Sequence, residues 1–292
     1  MEINTDTKIM AVIGDPIDHS VSPFMHNHII DANGFNAVYF PFRVRTEENL
    51  QKFVRAAKIL GFAGFNVTMP HKQTIIPLLD EIDAEAESYH SVNTVKLRDG
   101  KLWGYNTDVR GLLKAFEGRG VSVEGRSMMI IGAGGVAGSL VKGAGAAGVS
   151  SVTMLNRTFE KAEKLCRGLD YARAVEQTPE NMRAAAGSAD IIVNCTSLGM
   201  AGMEADFDDL SFLDGTEAFL CDLIYNPWET SFLRRGRELG LSTMNGMDML
   251  IYQGLVAFEI FTGEKLDFRE EYDRLFALCQ RRLDRERPGG QR

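Results

Sequence analysis

A strand, a glycine turn and a helix follow one another between residues 128 and 148, and no other feature constrains the fold as strongly. Four apolar residues at 128–131 predict a buried strand. Residues 139–147 predict a helix, which the following Gly148 terminates. The turn between them carries Gly132, Gly134 and Ala137 in the pattern G-x-G-x-x-G/A. The sequence therefore predicts the strand–turn–helix unit of a doubly wound α/β fold.

The small residues of this turn also indicate a function. In dinucleotide-binding folds they let a pyrophosphate approach backbone N–H groups at the helix N-terminus. A second apolar strand at 151–155 follows and ends in Asn156, Arg157 and Thr158, where NAD sites usually place an acid. An arginine at this position suits the 2′-phosphate of NADP. The alternative is a glycine turn that only packs a helix closely against a sheet.

Length and charge limit the remaining possibilities. A chain of 292 residues exceeds one ordinary core, which favours two domains over one. The net charge of −8, without a basic stripe, argues against a nucleic-acid or anionic-membrane partner. No basic and apolar leader precedes Lys8, and no apolar run approaches the roughly 20 residues of a membrane span, so we expect a soluble protein that is not exported.

Cysteines and histidines indicate neither a disulfide framework nor a metal site. The four cysteines are scattered singly, which fits reduced thiols in the cytoplasm. His26 and His28 are two residues apart on a predicted helix, so they point to different faces, and no thiol or carboxylate cluster joins them. We therefore expect a cytoplasmic protein without a metal.

The N-terminal third alternates strands with helices. Strands are predicted at 9–13, 37–42 and 64–68, and helices at 22–32 and 47–60. Ser22 before Pro23 predicts a helix N-cap, and Ser20 a turn residue. Lys72 falls at a predicted helix start, which is electrostatically unfavourable for a cation and suggests a role beyond helix stability. A solvated surface lysine is the alternative.

Polar side chains then recur at the ends of predicted elements. Residues 80–90 predict a helix, 92–97 and 102–105 a hairpin, and Asp108 precedes another helix. Small neutral donors and acceptors on loops suit a polyhydroxylated ligand, although each alone is more often a cap or turn residue, so the inference depends on their repeated placement. These residues are Ser20, Ser22, Asn66, Thr68, Asn93, Asn106 and Thr107, and Lys72 and Asp108 add the strong charges.

These stretches, in this order and over nearly the whole chain, resemble the shikimate dehydrogenase family. In the first half the matching motifs are Gly14-Asp15-Pro16, His19-Ser20-Val21-Ser22-Pro23, Asn66-Val67-Thr68-Met69-Pro70-His71-Lys72, Val92-Asn93-Thr94 and Asn106-Thr107-Asp108. In the second half they are Gly132-Ala133-Gly134-Gly135, Asn156-Arg157-Thr158, Asn194-Cys195-Thr196-Ser197, Gly199-Met200, Tyr225-Asn226-Pro227, and Gly246 with Met249-Leu250 and Gln253.

The resemblance implies an NADP-dependent oxidoreductase that reversibly reduces 3-dehydroshikimate to shikimate, in chorismate and aromatic amino acid biosynthesis. It implies two α/β domains separated by a cleft. Residues 1–107 would form the substrate domain, completed by helices within 247–292, and residues 108–246 would form the Rossmann-like, doubly wound NADP domain. Within the latter, strands are predicted at 190–194 and 219–223 and a helix at 230–239. Beyond it a helix is predicted at 247–261, and 281–292 is predicted to be a frayed tail.

The resemblance also assigns roles to residues. Lys72 and Asp108 would be the catalytic pair. Ser20 and Ser22 would bind the substrate carboxylate, and the other substrate residues would be Asn66, Thr68, Asn93, Tyr225 and Gln253. Cofactor residues would be Gly132, Ala133, Gly134, Gly135, Val136, Ala137, Asn156, Arg157, Thr158, Lys161, Thr196, Leu223 and Gly246. Lys161 stands where NADP-using members often have arginine, and lysine keeps the positive charge of arginine but lacks its planar fork of donors.

Three residues depart from the family pattern. Val109 stands where glycine usually follows Asn-Thr-Asp, and His90 and Ser91 replace a Gly-Ala pair before Val-Asn-Thr. Glycine accepts backbone conformations that valine and histidine resist, so the substrate preference is open. The alternatives are a quinate or quinate/shikimate dehydrogenase using NAD or NADP, and a non-catalytic nucleotide- or substrate-sensing relative. The protein would be a monomer or a homodimer.

Overall fold

The computed structural model describes residues 2–18 and 20–286 of the chain. Its contacts divide the chain into two compact units. The first unit contains Met1–Gly111 and Ile251–Cys279, and the second contains Leu112–Leu250 and Gln280–Arg292. Each unit is built on its own six-stranded sheet. The predicted α/β fold class is confirmed.

The sheet of the first unit is mixed. Its strands are β1 (Lys8–Gly14), β2 (Ala37–Arg43), β3 (Gly64–Val67), β4 (Glu81–Ile82), β5 (Thr94–Arg98) and β6 (Lys101–Tyr105). The order is β2-β1-β3-β5-β6-β4, with β1 parallel to β2 and β3, and β5 antiparallel to both of its neighbours. The central strands β1 and β3 are buried because helices cover both faces of a parallel segment.

The sheet of the second unit is entirely parallel. Its strands are β7 (Ser127–Ile131), β8 (Ser151–Asn156), β9 (Ala172–Glu176), β10 (Ile191–Asn194), β11 (Phe219–Asp222) and β12 (Thr243–Met244). The order β12-β11-β10-β7-β8-β9 reverses direction between β7 and β10. Ligands of doubly wound sheets bind outside the carboxyl ends of the strands at such a reversal. The glycine turn after β7 lies at that point.

Ten α-helices are present in the described part of the chain. They are α1 (Ser22–Ala32), α2 (Glu47–Ile59), α3 (Ala84–Tyr89), α4 (Asp108–Gly118), α5 (Ala137–Ala146), α6 (Phe159–Cys166), α7 (Pro179–Ser188), α8 (Ser231–Glu238), α9 (Gly246–Thr262) and α10 (Phe268–Glu286). Among the described residues, none of these helices combines the length and apolarity needed to cross a membrane.

Two local predictions in the first unit were wrong. Residues 80–90 do not form one helix, because Asp83 is extended and its side chain accepts from the Glu85 N–H at 3.0 Å, which starts α3 there. Lys72 is not at a helix start. It lies in a turn that follows the cis peptide bond before Pro70, so the dipole argument for its role does not apply.

Two predictions about helix ends also needed correction. Ser22 is the first residue of α1 rather than its N-cap, because Val21 occupies the cap position and no side chain caps this helix. The expected frayed tail is helical as far as Glu286, and residues 287–292 lie outside the described part of the chain, as does His19. Ser22 still lies at the start of the predicted helix.

Candidate active site

The glycine turn of the second unit leaves its backbone open on one side. Gly132 has φ +98°, a left-handed conformation that favours glycine, and a Cβ there would lie 2.6 Å from the Thr196 side chain. A Cβ on Gly134 would lie 3.1 Å from the Cys195 carbonyl oxygen. Gly135, by contrast, has nothing within 4 Å of a built Cβ, so this face can admit another molecule.

The helix after this turn begins without a side-chain cap. Val136 occupies the N-cap of α5 without a side-chain hydrogen bond, and the first turn of α5 contains no acidic residue. The first N–H groups of a helix have no intrahelical acceptor and lie at the positive end of the dipole, so they suit a phosphate. The turn and the helix start therefore fit the pyrophosphate of a dinucleotide.

The end of β8 is tied to the glycine turn. Ala133 N–H donates to Asn156 Oδ1 at 3.0 Å, and Asn156 Nδ2 donates to the Thr158 carbonyl at 2.7 Å. Arg157, the next residue, and Lys161, in the first turn of α6, are exposed, and in the described part of the chain neither forms an ion pair with a carboxylate. Two cations without carboxylate partners fit a phosphate at the end of this strand.

A buried carboxylate that the sequence analysis missed orders the neighbouring loop. Thr196 donates through its N–H and Oγ1 to Asn194 Oδ1, at 3.0 and 2.7 Å. Asn194 Nδ2 donates to Asp222 Oδ1 at 3.1 Å, and Thr230 Oγ1 donates to Asp222 Oδ2 at 2.6 Å. Burial raises the pKa of Asp222 to about 6. An acid ending the apolar strand β11 was the available signal.

Backbone contact also joins two further predicted cofactor residues. A Cβ on Gly246 would lie 2.1 Å from the Leu223 carbonyl oxygen, so a side chain at 246 would displace the backbone after β11. Tyr225 follows Leu223 in the same turn and is half-buried.

In the first unit the predicted catalytic pair is in direct contact. Lys72 Nζ donates to Asp108 Oδ2 at 2.6 Å. Asp108 opens α4, where its N–H donates to Asn106 Oδ1 at 3.0 Å, and Asn93 Nδ2 donates to Asp108 Oδ1 at 2.8 Å. The carboxylate is therefore held on both oxygens, and the ammonium beside it can exchange a proton with a bound hydroxyl or ketone.

Two more predicted substrate residues join this cluster. Thr107 Oγ1 donates to Gln253 Oε1 at 3.4 Å, which brings α9 to the start of α4. Asn66 is buried, and its Nδ2 donates to the Asn93 carbonyl at 3.2 Å and to Thr94 Oγ1 at 3.0 Å. Both amide hydrogens of Asn66 are thus used within the protein.

The serine loop, which contains Ser20 and Ser22, is half-buried at both serines. Neither serine occupies the N-cap position of α1. Ser22 N–H donates to Ser20 Oγ at 3.3 Å, which confirms Ser20 as a turn residue. Thr68 follows β3, and its N–H donates to the Ile13 carbonyl at 2.9 Å. Its Cγ2 lies 2.3 Å from where a Cβ on Gly14 would be, so this glycine lets the two loops meet.

The departures from the family pattern have visible structural consequences. His90 ends α3 at φ +51°, the left-handed conformation in which glycine is less strained. Ser91 is buried, and its Oγ has no hydrogen-bond partner among the described residues. Val109 is buried in the first turn of α4, next to Asp108. All three therefore lie close in sequence to the Asn93–Asp108 pair.

A parallel sheet with an open glycine turn, together with a unit that carries a hydrogen-bonded lysine–carboxylate pair, defines a dinucleotide-dependent oxidoreductase that acts on a CH–OH group. Three family models match the chain. They are the shikimate dehydrogenase substrate binding domain at residues 12–95, shikimate / quinate 5-dehydrogenase at residues 114–206, and the shikimate 5′-dehydrogenase C-terminal domain at residues 246–270.

Relatives match over most of their length. A shikimate dehydrogenase (NADP(+)) from Alkaliphilus metalliredigens is 39% identical over 276 residues, which cover 91% of this chain and 95% of the relative. The chain belongs to the shikimate dehydrogenase family, which confirms the resemblance that its motifs indicated.

Solved structures of the family resemble this chain over nearly its whole length. A shikimate 5-dehydrogenase from Thermus thermophilus, in complex with NADP(H) and shikimate, has a TM-score of 0.82 and 31% identity, covering 94% of this chain and 99% of that one. A quinate dehydrogenase from Corynebacterium glutamicum, in complex with NAD, has a TM-score of 0.83 and 29% identity, covering 93% and 99%.

Proposed function

We propose that this chain is an NADP-dependent shikimate dehydrogenase, which interconverts 3-dehydroshikimate and shikimate in chorismate and aromatic amino acid biosynthesis. The observation that carries the proposal is the Lys72–Asp108 pair, held at 2.6 Å in a unit that also contains the serine loop. A sensor without turnover would need neither a hydrogen-bonded lysine nor a carboxylate fixed on both oxygens. The names of the curated relatives support the same activity.

We assign substrate binding to the first unit and dinucleotide binding to the second. Ser20 and Ser22 carry hydroxyls that suit the substrate carboxylate, because Val21 rather than either serine occupies the N-cap position of α1. Asn93 and Gln253 lie beside Asp108 through the contacts of Thr107, where they would hold ring hydroxyls. Asn66 and Thr68 of the first unit, together with Tyr225 of the second unit, complete the proposed set of substrate residues.

The cofactor would be held by the open glycine turn and the start of α5. The residues are Gly132, Ala133, Gly134, Gly135, Val136 and Ala137, with Thr196, Leu223 and Gly246 from neighbouring loops. Asn156, Arg157, Thr158 and Lys161 would surround the 2′-phosphate, supported by the two exposed cations without carboxylate partners in the described part of the chain. When bound, the nicotinamide supplies or accepts the hydride at the substrate carbon.

The residues of this chain supply the proton chemistry and the orientation. Lys72 would give a proton to the forming alcohol oxygen, or take it in the reverse direction, as a general acid or base. Asp108 would fix the ammonium through Oδ2 and accept from a neighbouring substrate hydroxyl. Because Asn93 occupies Oδ1 and Lys72 occupies Oδ2, the carboxylate cannot rotate without breaking a hydrogen bond.

A four-way assay tests the proposal. The purified protein is given shikimate or quinate with NADP or NAD, and kcat/KM is measured for each pair. We expect shikimate with NADP to be the best combination. Faster quinate oxidation at saturating cofactor would identify a quinate dehydrogenase instead. Binding of NADP without turnover of either acid would support the sensing alternative.

We further propose a cytoplasmic monomer or homodimer. The cysteines support a reducing compartment, since no disulfide joins them in the described part of the chain and three of the four are buried. Light scattering on a size-exclusion column would distinguish the two oligomeric states.

A further inference from the structure

We infer that Tyr39 and Thr94 are positioning residues for the Lys72–Asp108 pair, because they belong to a buried chain of hydrogen bonds that leads to Asp108. The inference rests on the proposed function, in which Asp108 takes part in the reaction. The chain runs through two amides, those of Asn66 and Asn93.

The chain starts at a phenol that helix α1 holds rigidly. Tyr39 is 1% exposed, and the ring of His26 stacks on it with centroids 4.2 Å apart and planes 5° from parallel. Asn27 pairs with both backbone groups of Tyr39, because its Oδ1 accepts from the N–H at 3.0 Å and its Nδ2 donates to the carbonyl at 2.9 Å. The same helix begins at Ser22, in the serine loop.

The phenol fixes the first amide. Tyr39 O–H donates to Asn66 Oδ1 at 2.7 Å, and burial raises the pKa of Tyr39, so the hydroxyl stays protonated and remains a donor. Asn66 Nδ2 then faces the Asn93 carbonyl and Thr94 Oγ1. A flipped Asn66 would place its oxygen against the Asn93 carbonyl oxygen, which has no proton to share.

Thr94 then fixes the orientation of the second amide, that of Asn93. Its hydroxyl is fully buried and accepts from Asn66, so its one proton goes to Asn93 Oδ1 at 2.9 Å. Asn93 Oδ1 also accepts from the Thr107 N–H at 2.8 Å and lies 3.2 Å from Thr107 Oγ1, so it faces hydrogen-bond donors on this side. Asn93 therefore presents Nδ2 to Asp108, at 2.8 Å from Oδ1, while Lys72 occupies Oδ2.

Loss of the Thr94 hydroxyl would remove one of the hydrogen bonds that hold the Asn93 amide, which would keep its bonds with Thr107. It would also leave an Asn66 N–H without this acceptor. An Asn93 amide that is held less firmly would present Nδ2 to Asp108 less precisely, and the carboxylate would shift together with the lysine that it holds. The defect should appear in kcat, since the NADP residues proposed here belong to the second unit.

The test compares substitutions that keep or remove hydroxyls. Thr94→Val and Tyr39→Phe should each lower kcat for shikimate oxidation by about tenfold, the order of one net hydrogen bond, and leave KM for NADP unchanged. Thr94→Ser keeps the hydroxyl and should stay within about threefold of wild type. The control is Thr153→Val, which removes a threonine hydroxyl in β8 that accepts from Arg173 Nε at 3.2 Å, and should leave kcat unchanged.

A double-variant cycle separates positioning from a general loss of stability. In an Asp108→Asn background, Thr94→Val should cost less than about twofold, because its effect passes through the carboxylate. Equal losses in both backgrounds would overturn the inference. So would wild-type kcat in Thr94→Val, or a Thr94→Ser variant as impaired as Thr94→Val.

A readout without turnover keeps this inference separate from the proposed function. Side-chain NH₂ resonances of Asn66 and Asn93 in the full-length, ¹⁵N-labelled protein should be protected from solvent exchange in wild type and Thr94→Ser, and lose protection in Thr94→Val. A wild type inactive on shikimate would refute the proposed function while the spectra still decide the hydrogen-bond chain. Unchanged protection in Thr94→Val would refute the chain.

Discussion

Lys72 Nζ lies 2.6 Å from Asp108 Oδ2, and their side chains are only 19% and 8% exposed. An ion pair so shielded differs from a surface pair, because removal of one partner leaves the other charge with little water to solvate it. The residues are 36 positions apart, so the contact depends on the sheet that brings the loop after β3 next to the start of α4.

Replacement of Lys72 by alanine should lower kcat steeply. The proposed proton donor is lost, so we expect a fall of about 10²- to 10⁴-fold, the range of general acid–base catalysis, with a much smaller change in KM for shikimate. Steady-state kinetics at saturating NADP measure this. A kcat near wild type, with NADP binding intact, would exclude lysine from the chemistry.

Ser22→Ala should behave in the opposite way. The hydroxyl does not cap α1, so its removal should cost little stability and chiefly raise KM for shikimate through the loss of a ground-state contact. The control is Ser88→Ala, since Ser88 Oγ is exposed and donates within its own helix to the Glu85 carbonyl. A fall in kcat with unchanged KM would contradict a binding role.

Arg157→Ala should weaken the binding of NADP and leave the binding of NAD nearly unchanged. A charge-assisted contact to the 2′-phosphate contributes roughly 1.5–3 kcal/mol, so KM for NADP should rise by about 10- to 100-fold, whereas NAD has no phosphate to lose. Arg183→Ala removes an exposed arginine on α7 and serves as the control. Equal losses with both cofactors would place Arg157 away from the phosphate.

The sequence indicated the second unit more completely than the first. The turn after β7 could be predicted because Gly132, Gly134 and Ala137 are close in sequence and act through local backbone geometry. The position of Lys72 could not be predicted in this way, because it lies in a turn rather than at the predicted helix start. Its contact with Asp108 joins residues that are far apart in sequence. Local pattern carries no information about such pairings.

The same limit explains the buried residues that sequence reasoning missed. Tyr39 and Asn66 are 27 positions apart and meet only through the registers in which β2 and β3 pair with β1, the strand between them. Tyr39 in an apolar strand reads as core, and Thr94 reads as an ordinary β-branched strand residue. Asp83 shows the reverse case, in which a cap residue was visible but the helical pattern around it prevailed in the prediction.

Asp222→Asn should alter how stability depends on pH. Burial raises the pKa of Asp222 to about 6 from its usual 3.8, so between these values the folded state keeps a proton that the unfolded state has released. The stability due to this group is full below 3.8 and is lost as pH rises through 6. Its loss amounts to roughly 3 kcal/mol, an order-of-magnitude figure.

Because asparagine does not titrate, the free energy of unfolding of Asp222→Asn, relative to wild type, should rise between about pH 4 and about pH 6.5 and then level off. Urea denaturation at a series of pH values measures this difference. A difference that stays constant over the range would show that Asp222 is ionised well below pH 6 in the folded protein.

His26 should give the opposite pH dependence in the first unit. Its ring is 1% exposed, stacks on Tyr39, and has no hydrogen-bond partner for either nitrogen among the described residues. Burial lowers the pKa of His26 from 6.5 to about 3. Below pH 6.5 the unfolded state therefore binds a proton that the folded state does not bind. The stability from this group is present above 6.5 and is lost as pH falls toward 3, at roughly 1.4 kcal/mol per pH unit.

His26→Phe keeps an aromatic ring against Tyr39 and removes the titration. Any packing cost of the larger ring is independent of pH, so it shifts the whole curve without changing its slope. Relative to wild type, the variant should gain roughly 3 kcal/mol in free energy of unfolding between about pH 6.5 and about pH 4.5. Phe258→Leu, which alters a ring 6.2 Å from His26 without a titratable group, should show a constant difference from wild type. If His26→Phe also differed from wild type by a constant amount, His26 would have to take up its proton in the folded state, and the buried stack on Tyr39 would have to open to water as it did so.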